Sequence, residues 1–511
     1  MFVWPYRVSA QRRRSVFLLT VFVLLVFSAS SAFAAARAKY VFLMIGDGMG
    51  LAQRSAAEIF LAAERGADRP GIVRLAMNAL PAQGTFTTYS ATSMITDSAA
   101  AATAFACGEK TASGVLSMDP KGERKLPIIT RFAKASGRKI GIVTSVSIDH
   151  ATPAAFYAHA AGRSVYYGIA LQLASSGFDY FAGGGLKEPR GEKGDRPDAY
   201  DRIAKAGYAI TRTRDEFLKL NAASGKVLAI NPVLDDEMAL PHEIDRKEGE
   251  ITLAEFTRKG VELLDNPKGL FMMVEGGKID WACHANDAVT AIRDTIAFDD
   301  AVRVALGFHA KHPDETLVVV LGDHETGGMS IGFAGTKYET FFPKLRYQKS
   351  SYLAFMTFLG EYRKTHSPDT ARFEDVAETI TEMFGLRFLP EKRFAALEAK
   401  ARGGDAAAAR ELELAVGPLE LARLRAAFAQ SMKAPRERSH DEDAYILYGG
   451  YDPLAICVTR TLDRKAGIGW TSFAHTGVPV PVSAIGAGHE AFDGCFDNTD
   501  INRKLRAAMG L

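Results

Sequence analysis

Cysteine and tryptophan are scarce in this chain of 511 residues, with four of the first and three of the second. None of the four cysteines forms a CxxC pair, so nothing marks a thiolate metal module. Cys107, Cys283, Cys457 and Cys495 sit among apolar or small neighbours, which favours buried free thiols at least as much as any of the three ways of pairing them. Charge of one sign is lacking too: 62 Lys and Arg against 60 Asp and Glu leave a formal +2. That balance gives no nucleic-acid-binding signature and does not favour an anionic membrane as partner. There is no low-complexity tract and no internal repeat. The glycines of "MIGDGMG" (Met44–Gly50) are spaced G-x-G-x-G, not G-x-G-x-x-G, so the dinucleotide fingerprint is absent, and Asp47 between them would repel a pyrophosphate.

Long apolar runs are also missing, with one exception. "VFLLTVFVLLVF" (Val16–Phe27) follows the basic "RVSAQRRR" and precedes the small residues of "SASSAFAAA". The run is shorter than the ~20 residues of a spanning helix. Basic, apolar and small segments in that order predict a signal peptide over 1–36, with Ala32-Phe33-Ala34 as the cleavage motif. An uncleaved anchor is the weaker alternative, the twin-arginine match of "RRRSVFL" is loose, and no Cys follows to carry a lipid. Removal of 1–34 takes away Arg7, Arg12, Arg13 and Arg14 and no acid, moving the formal charge from +2 to −2. The expected location is the periplasm or outside the cell, with no stable membrane anchor after cleavage.

What remains is globular in composition, 47% hydrophobic and 24% charged. Short apolar runs that end in glycines and acids ("YVFLMIGDG", "KIGIVTSVSIDH", "FDYFAGGG", "LFMMVEGG", "TLVVVLGDHE", "VPVSAIGAGHE") read as buried strands. Helical patterns such as "LPIITRFAKASG" and "AEFTRKGVELLDN" alternate with them. The alternation predicts an α/β three-layer sandwich, a central and mainly parallel sheet flanked by helices. In such sheets ligands bind beyond the carboxyl ends of the strands. Asp47, Glu275 and Asp323 fall at three of those ends, and three acids at one sheet edge suggest a metal site. From about residue 338 to 445 the pattern becomes helical and rich in Ala, Leu, Glu and Arg, with "APRERSHDEDAY" as an exposed connector. This predicts a helical insertion, 338–445, between two parts of one core, 37–337 and 446–511; a second independent domain is the alternative.

Several stretches carry chemistry. Asp280 and His284 in "VEGGKIDWACHAND" are four apart, on one face of a helix, where a carboxylate and an imidazole can share a zinc ion. An ordinary charged helix face explains the pair equally well. "LGDHETGG" sets Asp323 beside His324 after a strand, and "FAHTGVP" adds His475. "SIDHATPAAFYAHAAGR" offers His150 and Thr152 to a metal and Arg163 to an anion. "TDSAAAATAFACG" opens an alanine helix at Ser98, either a plain helix cap or a nucleophile.

Six motifs in order, "IGDGMG", "TDSAAAATAFACGEKT", "HATPAAFYAHAAGR", "VEGGKIDWACHAND", "GDHETGG" and "HTGVPVPV", make the chain resemble the alkaline phosphatases over roughly 40–330 and 450–511. The resemblance implies that Ser98 is the nucleophile and Arg163 the phosphate clamp. It implies one zinc site at Asp280, His284 and His475, a second at Asp47, Asp323 and His324, and a third, for magnesium, at Asp47, Thr152 and Glu275. His150 is implied as a neighbour of the third site and Trp281 of the phosphate. Some members have Asp and Lys at these two places, and His150 with Trp281 matches the other branch, where zinc or cobalt can replace magnesium. Some members also carry a His where Thr326 stands, one that supports the serine or the metal ligands. The implied activity is hydrolysis of phosphate monoesters through a phosphoserine, by an enzyme that is often a homodimer. A phosphodiesterase or sulfatase of the same superfamily and a non-catalytic phosphate or zinc binder are the alternatives. The aromatic-rich start of the insertion, "KYETFFPKLRYQKSSYLAFMTF", is expected to pack as core in preference to facing the site.

Overall fold

A computed structural model describes residues 37–66 and 71–511. The signal peptide expected over 1–36 lies outside the described residues. Among these, no helix is long and apolar enough to cross a membrane.

The described residues form fourteen strands in chain order: β1 (Tyr40–Gly46), β2 (Ala82–Thr87), β3 (Lys139–Thr144), β4 (Tyr180–Gly183), β5 (Tyr208–Thr211), β6 (Lys226–Ile230), β7 (Leu270–Gly276), β8 (Thr316–Gly322), β9 (Glu325–Thr326), β10 (Ser330–Ile331), β11 (Ile468–Gly469), β12 (His475–Thr476), β13 (Val480–Gly486) and β14 (Gly494–Asp497). Ten build one sheet, ordered β14-β2-β13-β8-β1-β7-β3-β4-β6-β5. Only β13 runs against its neighbours, β8 and β2; every other pairing in the sheet is parallel. The expected mainly parallel sheet is therefore present, with one reversed strand.

β1 lies at the centre, and all seven of its residues are buried. Its side chains alternate between the two faces, as the twofold period of a strand requires. Tyr40, Phe42 and Met44 join a core with the helices Leu51–Glu64, Leu253–Leu264 and Ala288–His309. Val41, Leu43 and Ile45 join the opposite core with the helices Ser98–Cys107, Ile129–Ala135, Tyr166–Ser176 and Thr499–Met509. Each such side chain contributes on the order of 1.5–3 kcal/mol when fully buried.

The helices Tyr352–Thr365, Phe373–Phe384 and Pro418–Ser431 belong to the segment read as an insertion. Phe355, Leu359, Val376, Ile380, Phe384, Leu424 and Phe428 share the core of Phe42. These helices thus extend one layer of the sandwich instead of enclosing a core of their own. Phe342, Leu345 and Phe355 are buried as a packing role predicts, but Tyr338, Phe341 and Tyr347 of the same stretch are exposed and Tyr352 lines the cleft described below. The stretch read as an exposed connector does contain structure, a helix Glu442–Tyr448 capped by Asp441, whose side chain accepts from Ala444 N–H. The four thiols are free. Cys283 is buried and Cys107 and Cys457 are half-buried, but Cys495, on the edge strand β14, is exposed.

Register positions the functional edge. Gly46 of β1 pairs with Gly276 of β7 and with Gly322 of β8. Three adjacent strands therefore end level, and Asp47, Glu275 and Asp323 fall within one residue of that line. The short antiparallel pair β9–β12 places His475 opposite Thr326, which carries a residue from far along the chain to the loop that follows β8.

Candidate active site

Ser98 is the first residue of its helix. The cap is its neighbour Asp97, whose carboxylate accepts from Ala100 N–H at 3.1 Å. Every residue from Ser98 to Ala106 is buried, a fit that the small alanine side chains permit. At the far end Asn502 Nδ2 donates to the Phe105 and Ala106 carbonyls. The helix is thus held at both ends, and its N-terminus, where anions are favoured, points Ser98 at the sheet edge.

Ser98 Oγ lies 3.3 Å from His324 Nε2. The same nitrogen is 3.3 Å from Asp47 Oδ1 and 3.2 Å from Asp323 Oδ2. Asp323 Oδ1 accepts from Gly48 N–H and His324 N–H. Gly48 has φ +70°, and a Cβ there would fall 2.9 Å from Asp280 Cα, so only glycine lets the loop after β1 approach this closely.

The helix Lys278–His284 sets Asp280 and His284 on one face, Oδ2 to Nε2 3.3 Å. His475 Nε2 is 3.6 Å from Asp280 Oδ1 and 3.1 Å from His284 Nε2. Each of these two rings is held through Nδ1 by a backbone carbonyl, Phe473 O at 2.6 Å and Thr96 O at 2.8 Å. Nδ1–H therefore donates outward, which turns both Nε2 atoms toward one another and leaves them to share a cation. Thr326 Oγ1 donates to Asp280 Oδ1 at 2.5 Å and stands 3.3 Å from His324 Nδ1.

On the other side of Asp47, Thr152 Oγ1 is 3.5 Å from Asp47 Oδ2, and Glu275 accepts from Thr144 Oγ1. Ligand atoms of three groups, Asp280–His324–His475, Asp47–Asp323–His324 and Asp47–His150–Glu275, each lie within 4.8 Å of one another. Asp47 Oδ1, Glu275 Oε1 and Asp323 Oδ2 are buried with no hydrogen-bond partner. Such atoms are costly unless a cation satisfies them.

The electrostatics agree. Burial, then Asp323, Asp280 and Glu275, push the Asp47 carboxyl well above its ordinary range. Burial and the neighbouring acids push Asp323 up to about 8, and burial pushes Glu275 up to about 7. Burial would raise Asp280 as well, but His284, His475 and His324 hold it well below the usual carboxylate range. Against burial, Asp280 raises His284 to about 9. Burial and the facing His475 ring hold His324 well below an ordinary imidazole, and burial lowers His475. Four buried carboxylates against one nearby guanidinium form a site built for cations, and the donor sets fit divalent metals.

Arg163 Nη1 contacts Asp97 Oδ2 at 3.0 Å, and its Nη2 contacts His150 Nε2 at 3.2 Å. Burial, then Arg163, lower His150 to about 3. Trp281 and His150 meet edge to face with centroids 6.0 Å apart. Lys278 Nζ sits 4.4 Å from the Trp281 ring and 2.6 Å from Asp235 Oδ2. Ser98, Arg163, His150, Asp280, Trp281, His284 and His475 line an open cleft of about 440 Å3. Every site residue named from the sequence is brought to this one edge.

The rim adds residues that no motif announced: Tyr166, Lys187 paired with Glu237, Tyr352 and Tyr451. Tyr352 and Tyr451 arrive through long-range packing, for which a single sequence gives no signal. Asp97 was legible as a helix-cap residue type beside Ser98, and its hold on Arg163 was not.

An alkaline phosphatase family model matches residues 38–383. Alkaline phosphatase 3 of Bacillus subtilis is 29% identical over 480 residues, 92% of this chain and 89% of its own. Alkaline phosphatase 4 of the same organism is 30% identical over 474 residues, 91% of this chain and 87% of its own. Among solved structures, a cold-active alkaline phosphatase from a psychrophilic Shewanella species superimposes with a TM-score of 0.72 at 29% identity, over 92% of this chain and 99% of that one. The alkaline phosphatase of Thermus thermophilus superimposes with a TM-score of 0.73 at 25% identity, over 93% and 92%. With its level strand ends, its cation-seeking carboxylates and its match over more than half its length, the chain belongs to the alkaline phosphatase family and is a phosphomonoesterase.

Proposed function

We propose that Ser98 is the nucleophile of an exported enzyme that removes phosphate from small-molecule monoesters of broad structure, through a phosphoserine. The observation that carries this is the position of Ser98 Oγ at the mouth of three overlapping ligand groups whose buried carboxylate oxygens lack partners. Asp280, His284 and His475 would hold one zinc ion, and Asp47, Asp323 and His324 a second; mixed carboxylate and imidazole sets suit zinc. Asp47, Thr152 and Glu275 form an all-oxygen set that suits magnesium, and the nitrogen of His150 beside it also suits zinc or cobalt. When bound, divalent ions supply the lowering of the serine pKa and the charge stabilisation at the entering and leaving oxygens.

The chain's own groups do the rest. The Ser98 helix presents Oγ and free N–H groups to the incoming phosphate. Arg163, oriented by Asp97, forks onto two phosphate oxygens. Attack by Ser98 Oγ forms the new O–P bond as the bond to the ester oxygen breaks and the alcohol leaves. Water then attacks phosphorus, breaks the bond to Ser98 Oγ and releases inorganic phosphate. The basic, apolar and small-residue order of residues 1–36 supports export.

The test is turnover of an aryl phosphate monoester by the mature protein with zinc and magnesium, beside Ser98→Ala. Hydrolysis by the wild type and none by the variant is expected. A diester and a sulfate ester run in parallel separate the phosphodiesterase and sulfatase readings. Metal binding without any turnover would leave only the binder.

A further inference from the structure

Away from the cleft, a cavity of about 580 Å3 lies between the helix Pro453–Ala466, the helix Pro418–Ser431 and the loop that carries Phe333 and Phe341. Its size is that of an ordinary small-molecule site. Five of its lining side chains are cationic, Lys344, Arg423, Arg460, Arg464 and Lys465, against one acid, Glu420. Glu420 is already committed, to Lys465 Nζ at 2.7 Å and to Gly417 N–H at 2.8 Å.

Among the described residues the other four cations form no ion pair. Lys344 donates only to the Lys465 carbonyl, at 3.2 Å, and Arg460 only to the Ile446 and Leu447 carbonyls, with its guanidinium 5.1 Å from the Phe473 ring centroid. The Arg423 and Arg464 guanidinium groups donate to no protein acceptor among the described residues. Two further acids lie near. Glu413 acts on Lys344. Asp463, buried and bound to Trp470 Nε1 at 2.7 Å, does not line the cavity.

Burial and then Arg423 lower Arg464, and burial and then Arg464 lower Arg460. The like charges thus press on one another as the fold stands, and a bound polyanion would relieve them. Aromatic faces accompany the charges: Phe341 4.0 Å from Lys344 Nζ, and Phe333 5.6 Å from Arg464 Cζ. The one carboxylate there, Glu420, is held by Lys465 and Gly417 N–H, no imidazole lines the cavity, and burial pushes the Cys457 thiol up to about 11, so the chemistry is binding.

We propose that this cavity binds a nucleoside polyphosphate, its phosphates between Arg423, Arg460, Arg464 and Lys344 and its base against Phe333 and Phe341. Guanidinium forks match phosphate oxygens in pairs, and four unpaired cations match two or more ionised phosphates. Base–aromatic stacking supplies the preference over a bare polyanion.

The test is calorimetric titration of the zinc- and magnesium-loaded protein with α,β-methylene-ADP, whose terminal phosphorus is held to carbon and resists hydrolysis. Arg423→Glu with Arg464→Glu is expected to show one binding site fewer than the wild type. Arg423→Glu alone, at an exposed residue that makes no ion pair among the described residues, is expected to weaken that site at least tenfold and to fold normally. Both are expected to keep kcat and KM for an aryl phosphate. The same number of sites at the same affinity in all three proteins would overturn the proposal. Methylenediphosphonate is expected to bind this site at least tenfold more weakly than the nucleotide analogue; equal affinity would overturn the assignment to a nucleotide.

Discussion

The Nε2 atoms of His284 and His475 face each other at 3.1 Å while a backbone carbonyl holds each ring through Nδ1. Two neutral rings held this way would set lone pair against lone pair, so the pair calls for positive charge, either a metal ion or the proton that Asp280 favours on His284. Asp280, within 3.6 Å of both rings, completes a pocket for positive charge.

Metal removal should therefore couple stability to pH. In the metal-free protein, burial and its acidic neighbours push Asp323 up to about 8, burial pushes Glu275 up to about 7, and against burial Asp280 raises His284 to about 9. Each group keeps a proton in the fold that the unfolded chain loses at lower pH. The stabilisation is present below the unfolded pKa and is lost as pH rises through the folded one. The depressed His324 and His475 act in the opposite sense only up to about pH 6.5, the ordinary imidazole value. Chelated protein is expected to melt at progressively lower temperature from pH 7 to 9, and zinc- and magnesium-loaded protein to hold its melting temperature. A chelated protein with a flat profile over that window would contradict this.

Thr326 donates to Asp280 from the loop that follows β8. Thr326→Val keeps the shape and removes the hydrogen bond. Loss of a partner that orients a ligand typically costs 10–100-fold in metal affinity. Zinc affinity of the variant, measured by competition with a chromogenic chelator, should fall by about that factor; unchanged affinity would make Thr326 a spectator.

Arg163 and Asp97 should separate in their effects. Arg163→Ala is expected to cost about 10²-fold in kcat/KM, the order lost with one donor to a developing oxyanion, and to weaken inhibition by inorganic phosphate. Asp97→Ala removes both the orienting carboxylate and the helix cap, at about 1 kcal/mol for the cap. It should therefore lower the melting temperature as well as the rate, whereas Arg163→Ala should lower the rate alone.

Tyr451 stands on the rim of the cleft. Tyr451→Ala is expected to raise KM for aryl phosphates by several-fold and to leave kcat and the KM for a short alkyl phosphate unchanged. Equal changes for both substrates would show that the rim does not read the leaving group.

The apolar runs announced six strands of the sheet, β1, β3, β4, β7, β8 and β13, and not β2, β5, β6 or β14, which are short or partly exposed. Asp47, Glu275 and Asp323 are local to strand ends, and a strand end fixes where its next residue goes. The level register of β8, β1 and β7 then gathers all three. The alanine run placed Ser98 at a helix start, its role as nucleophile came only from the resemblance, and the cap proved to be Asp97. The reversed direction of β13, the shared core of the helical segment and the arrival of Tyr352 and Tyr451 at the rim depend on contacts across the chain, which local pattern does not encode.

The most direct measurement is to quench the metal-loaded protein with acid during turnover of an aryl phosphate and to map the phosphate by mass spectrometry. Phosphate on Ser98 of the wild type, absent from the chelated protein and from Ser98→Ala, is the predicted result. Sustained turnover with phosphate on another residue, or undiminished turnover in Ser98→Ala, would contradict it.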